Sequence, residues 1–168
     1  DKLMMVLFHR DKWKRIMIYE LQKPKYYRKY IRIHDAGDFF SESYAKDWID
    51  IINYSKNCKF YTYTKEVELF KCKLKDSIPS NLTIIYSFGG KQDNMIDKDK
   101  DRHSDVFPDY NDMINAGYFP MGDDDKEAAI NTNHRIGLYR NNIPHFIKKM
   151  GNKKFSEWSK SKNKIYED

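Results

Sequence analysis

A chain of 168 residues, 40% hydrophobic and 33% charged, fits one domain with one sizeable core, and its 13 Tyr and 10 Phe argue against disorder. The longest unbroken apolar run, Leu3 to Phe8, falls far below the roughly 18 residues of a membrane-spanning helix. The two cysteines, Cys58 and Cys72, make neither a disulfide scaffold nor, alone, a four-thiolate metal site, and the net charge of +6 suits a polyanionic partner without specifying one.

Asp11 is placed to cap a helix whose Trp13, Ile16, Met17 and Leu21 recur every three or four residues, and Pro24 stops it. Tyr30 to His34 reads as a strand ending in the turn-like Asp35-Ala36-Gly37-Asp38. Ser41 caps a second helix with Tyr44, Trp48, Ile51 and Ile52 as its buried stripe. Lys59 to Thr64 is strand-like, Glu66 to Leu74 a short helix, and Leu82 to Ser87 a third strand that turns at Gly89-Gly90.

A long polar excursion over residues 91–107 follows, and Pro108 leads into a short helix ended by Gly117. Asp123 to Asp125 suit the start of another short helix running to Ile130. His134 to Arg140 is a fourth strand. Pro144 opens a helix with Phe146, Ile147 and Met150 that Gly151 closes, before Phe155 and Trp158 pin a last turn.

This alternation predicts one α/β domain over residues 1–168 with a basic C-terminal tail from position 151. The sheet is mostly parallel, of about four strands, and is either open or an arc of a barrel.

Ligands of parallel sheets gather beyond the carboxyl ends of the strands. Three polar clusters fall there on this reading: His34, Asp35, Asp38 and Ser41; Thr62, Thr64 and Lys65; and Gly89, Gly90, Lys91 and Asp93, followed by the charged run from Asp97 to Asp105. The first has the donors for a hard divalent metal or an acid/base pair, but equally those of a tight turn and a helix cap. Asp97-x-Asp99-x-Asp101 is no calcium loop, because Arg102 stands where Gly is needed and Pro108 where a bidentate Glu is needed. Gly89-Gly90-Lys91 lacks the rest of a Walker motif, although its amides can still face a phosphate. Tyr61 and Tyr63 are placed either to stack on bases or, as alternate strand residues, to pack.

Charge is polarised along the chain. Residues 1–32 carry ten Lys/Arg against Asp1, Asp11 and Glu20, and residues 148–168 carry seven Lys against three acids. Residues 91–125 hold ten Asp against four cations. Two basic ends attract nucleic acid or another polyanion through counterion release, while a basic balance alone also suits a merely Lys-rich soluble protein.

The segment from Tyr30 to Ser41 (YIRIHDAGDFFS), then Tyr44, Trp48 and Ile49, then Lys59 to Lys65 (KFYTYTK), resembles the phage gene-product-88-like family. Gly89-Gly90-Lys91, Ile96-Asp97, Asp101 to Ser104 and Val106 to Pro108 are similar to further family segments. The resemblance spans residues 28–140 and implies a phage or prophage protein of largely unassigned activity, located in the host cytoplasm. Many members carry an upstream cysteine cluster suggestive of an iron–sulfur site in a radical-SAM-like partial barrel. Cys58 and Cys72 do not match it, so an Fe–S cluster is not supported by this chain. The chain opens at Asp1, which leaves room for a segment before it.

Three readings stay open. The first is an enzyme domain acting on a phosphate-containing or nucleic-acid substrate, with His34, Asp35, Asp38, Asp101 and His103 as catalytic groups. In it Ser41, Lys65, Lys91 and Arg102 bind substrate, and Asp38, Asp93 and Asp101 are candidate ligands of a divalent metal. The second is a non-catalytic phage protein engaging nucleic acid or a host protein, with no membrane involved. The third is a radical-SAM-like fragment whose cysteines lie upstream.

Overall fold

The computed structural model describes residues 2–140 and 144–158. Among them six strands form one open, all-parallel sheet: β1 (Tyr30–Ile33), β2 (Lys59–Thr64), β3 (Leu82–Ser87), β4 (His103–Phe107), β5 (Phe119–Pro120) and β6 (Arg135–Tyr139), in the order β1-β2-β3-β4-β6-β5. The expected α/β class and parallel sheet are thus present, the sheet is not a closed barrel, and two strands join the four expected. Among the described residues no helix is long and apolar enough to cross a membrane.

The chain divides into two compact units, residues 1–62 with 69–83 and residues 63–68 with 84–168. In unit 1, α1 (Lys2–Phe8) and α2 (Arg10–Leu21) precede β1, and α3 (Glu42–Tyr54) connects it to β2. Asp11 does not cap α2: His9 holds that position without a side-chain bond, and Asp11 adds only its charge to the first turn. Trp13 and Leu21 are the buried residues of α2, whereas Ile16 is exposed. Trp13 packs against Tyr44 and Trp48 of α3, at 5.6 and 5.5 Å between ring centres. Beside them the buried Asp47 carboxylate accepts from Arg10 Nε at 2.7 Å and Lys14 Nζ at 3.3 Å.

Ser41 caps α3 as expected, its hydroxyl oxygen accepting from the Tyr44 N–H. β1 and β2 run in register from Tyr30 opposite Lys59 to Ile33 opposite Thr62. The Asn81 side-chain amide lies 3.2–3.4 Å from the carbonyls of Ile52, Ser55 and Cys58, tying the end of α3 to the start of β2. In place of the helix expected over Glu66 to Leu74, a wide π-helical turn spans Leu69–Lys73, with Leu74 N–H bonded to Leu69 O at 2.9 Å. The wider turn lets Leu69, Phe70 and Leu74 all face inward.

In unit 2, β4 lies beside the end of β3 (Tyr86 opposite His103) and pairs with β6 along its whole length, from His103–Arg135 to Phe107–Tyr139. The short β5 pairs with β6, and it was not expected from sequence. Residues 91–107 are not one continuous loop, because their end is β4, an interior strand. The sequence HSDVF shows no apolar alternation, yet His103, Ser104 and Asp105 are buried there.

Asp109 caps α4 (Tyr110–Asn115), accepting from the N–H groups of Asn111 and Asp112, and Gly117 turns the chain at φ +76°. Met113 of α4 meets Phe107 and Tyr118 in the core. The helix expected after Asp123–Asp125 is α5 (Glu127–Ile130), and α6 (Pro144–Met150) begins and ends as expected, with Gly151 at φ +55°. Phe155 and Trp158 lie in a last turn with rings 6.1 Å apart. The rest of the basic tail, residues 159–168, lies outside the described residues.

Candidate functional site

His34 follows β1 in unit 1 and holds a left-handed backbone at φ +59°. Its Nε2 meets the Tyr44 hydroxyl at 2.9 Å, while Nδ1 is buried without a hydrogen-bond partner. Its ring stands edge-on to Phe39 at 4.6 Å and stacks on Tyr44 at 5.6 Å. Burial pushes the His34 pKa down, against a smaller pull upward from the Asp38 charge, so the imidazole is neutral at neutral pH. Asp38 Oδ1 accepts from the Phe39 N–H at 2.8 Å. Ser41 spends its oxygen on the helix cap, and Asp35 stands in solvent 3.8 Å from Arg32. The structure therefore brings His34 and Asp38 together and leaves Asp35 outside.

In unit 2, Lys65 Nζ donates to Phe88 O at 2.7 Å and lies 5.8 Å from the centre of the Phe155 ring. The Gly89 and Gly90 N–H groups donate to Asp93 Oδ2 and Oδ1 at 2.9 and 2.8 Å. The amides expected to face a phosphate thus hold a carboxylate of their own loop. Lys91 is exposed.

Asp101, Arg102 and His103 do not trail a strand; they lead into β4. Asp101 Oδ2 accepts from the Asp97 N–H at 2.7 Å. The Arg102 guanidinium donates to three carbonyls, Ala128 and Asn131 at 2.8 Å and Asn133 at 3.2 Å, and so fastens the chain around α5. The His103 ring is buried, with Nδ1 2.8 Å from Asp101 O. A carbonyl only accepts, so Nδ1 carries the proton and Nε2 accepts from the Tyr118 O–H at 3.0 Å. Burial lowers the His103 pKa and raises that of Tyr118.

Among the described residues no three His, Cys, Asp or Glu side chains form a group that could hold a metal. Asp93 and Asp101 use their carboxylates on amides of their own loops instead. Cys58 is buried and Cys72 exposed, both as free thiols. Tyr61 is buried and Tyr63 donates its hydroxyl to Asp125 at 3.1 Å, so both are packing residues.

Two features were missed from sequence. One is the buried Asp105 of β4, which accepts from Ser156 Oγ at 2.5 Å, Ser156 N–H at 3.1 Å and Val106 N–H at 2.9 Å. No local pattern links residues 51 positions apart.

The other is a cavity of about 520 Å³ in unit 1, lined by Tyr27, Arg28, Tyr30, Lys56, Asn57 and Lys59, with Cys58 also in its wall. No lining residue is a carboxylate. The Arg28 guanidinium lies 5.2 Å from the centre of the Tyr27 ring, and Lys59 Nζ 5.4 Å from that of Tyr30. Nearby Lys23 and Lys25 are both paired with Glu20, whose carboxyl they hold well below its usual pKa, at about 2. The interleaved run Lys23-Pro-Lys-Tyr-Tyr-Arg-Lys-Tyr30 was the available signal, visible only as net charge until the fold set it beside Lys56 and Lys59.

Compared with known proteins, the chain matches the family model described as Gene product 88 over residues 1–165. No curated protein and no solved structure matches it.

Proposed function

The chain belongs to the gene product 88 family, a phage gene-product family, and from that premise we propose that it binds nucleic acid through the basic, tyrosine-rich face of unit 1. The observation that carries this reading is the cavity whose lining supplies Arg28, Lys56 and Lys59 beside two tyrosines and no carboxylate. Cations in such a lining displace counterions from a phosphate backbone, and that release drives sequence-independent binding. The test is anisotropy of a labelled oligonucleotide titrated with the protein at several salt concentrations. Affinity falls linearly on a log–log plot against salt, and Lys56→Glu or Lys59→Glu flattens the slope by about 1 each. No binding at low salt ends the reading.

A second reading, an enzyme domain acting on a phosphate-containing or nucleic-acid substrate, is favoured by His34. Its left-handed backbone, its neutral ring held by Tyr44 and its unpartnered Nδ1 suit a proton-transfer group after a parallel strand. In this reading His34→Asn abolishes turnover of DNA or RNA, assayed with and without divalent cations, and leaves binding intact. Turnover unchanged in the variant removes His34 from the chemistry.

A further inference from the structure

We propose that this cavity is a single-strand site, in which the Tyr27 ring stacks on an unpaired base while Arg28, Lys56 and Lys59 take the flanking phosphates. The proposal rests on the nucleic-acid reading above and names the form of nucleic acid that the site accepts.

The walls of the cavity are laced together through the backbone. Arg28 N–H donates to Asn57 O at 2.8 Å, Lys59 N–H to Lys29 O at 3.0 Å, and Lys29 N–H to Tyr26 O at 3.0 Å. Arg28 is held at φ +59°, a conformation an arginine adopts only when its surroundings impose it. Tyr27 and Arg28 therefore project from a fixed turn, so little ordering cost falls on binding.

The two tyrosines differ. Tyr30 is half-buried, and its hydroxyl accepts from Lys59 Nζ at 3.4 Å. Tyr27 is 57% exposed, which leaves ring surface for a partner. Lys56 Nζ uses one donor on Asn53 Oδ1 at 3.0 Å and keeps two for a phosphate. Glu20 offsets one of the two charges of Lys23 and Lys25, whereas the cations of the cavity lining have no carboxylate among them.

A concave site of this size, within the range of about 300–1,000 Å³ typical of ligand clefts, admits a flipped or unpaired base. Duplex DNA offers no such base: its rings are stacked on both faces, and its grooves are read by elements that protrude. An acidic peptide would be served by the cations alone and would leave the tyrosine face unused, whereas every nucleobase has a π-face to give it.

The test uses the full chain and anisotropy with an oligothymidylate of about 16 nucleotides, the matching duplex and a poly-glutamate peptide. The single strand is expected to bind at least about tenfold more tightly than the duplex. Tyr27→Leu is expected to lose about 5- to 100-fold for the single strand only, and Tyr27→Phe, which keeps the ring, to retain affinity. Thermal melts of both variants separate lost contacts from lost folding. Equal binding of strand and duplex, with Tyr27→Leu neutral, overturns this proposal and leaves the nucleic-acid reading standing. Poly-glutamate binding as tight as the single strand reassigns the face to an acidic protein partner, and no binding of any probe at low salt overturns both readings.

Discussion

Asp105 shows how a single carboxylate is kept inside a core. It is 1% exposed, and three donors, two of them from Ser156, pull its pKa down while burial, the larger effect, pushes it up. A raised carboxyl pKa means that the folded state holds the proton more tightly than the unfolded one. The contribution to stability is therefore full below the ordinary value of about 3.9 and is lost as pH rises through the raised value. Urea unfolding of the native chain and of Asp105→Asn at a series of pH values tests this. The native chain should lose stability relative to the variant as pH climbs above about 4, and parallel curves would show that burial does not govern this carboxyl. Arg102 and Asp93 teach a related lesson: the guanidinium fastens the chain around α5 through three carbonyls, and the carboxylate closes its own loop on the Gly89 and Gly90 amides.

At the level of elements, a close fit lies where Gly137 of β6 meets Met113 of α4. A methyl group added at Gly137 would stand 2.3 Å from Met113 Sδ, 2.4 Å from its Cγ and 3.1 Å from Tyr118 Cβ. Met113 is itself buried and cannot swing away. Gly137→Ala should cost about 1–3 kcal/mol in chemical unfolding, and a loss below half a kcal/mol would mean that α4 shifts freely. The elements with regular patterns were legible in advance. β1, β2 and β3 carry β-branched and aromatic residues, and α3 carries both its Ser41 cap and an apolar stripe. β4 and β5 were not legible, since a strand reading His-Ser-Asp shows no apolar alternation and finds partners for His103 and Asp105 only in the distant Tyr118 and Ser156. The same reason hid part of the candidate site: a cavity built from residues 27–30 and 56–59 exists only once β1 and β2 pair.

For the whole molecule, among the described residues burial keeps one histidine neutral in each unit, His34 in unit 1 and His103 in unit 2. Depressed histidine pKa values mean that the unfolded chain takes up protons first on acidification. Stability is thus full above about pH 6.5 and is lost as pH falls through the lowered values. Melting points followed from pH 8 down to about pH 5 in the Asp105→Asn background, which removes the opposing carboxyl, should decline. A flat profile would place both rings in water. The Asp105–Ser156 latch also bears on how the protein is made. All of unit 1 has left the ribosome once residue 83 has emerged. Unit 2 cannot satisfy its central strand until Ser156 appears, 51 residues after Asp105, about 3 to 10 seconds later at ordinary translation rates. Through that interval Asp105 lacks two of its three donors, and nascent unit 2 is the half of the molecule that chaperones and proteases have time to find.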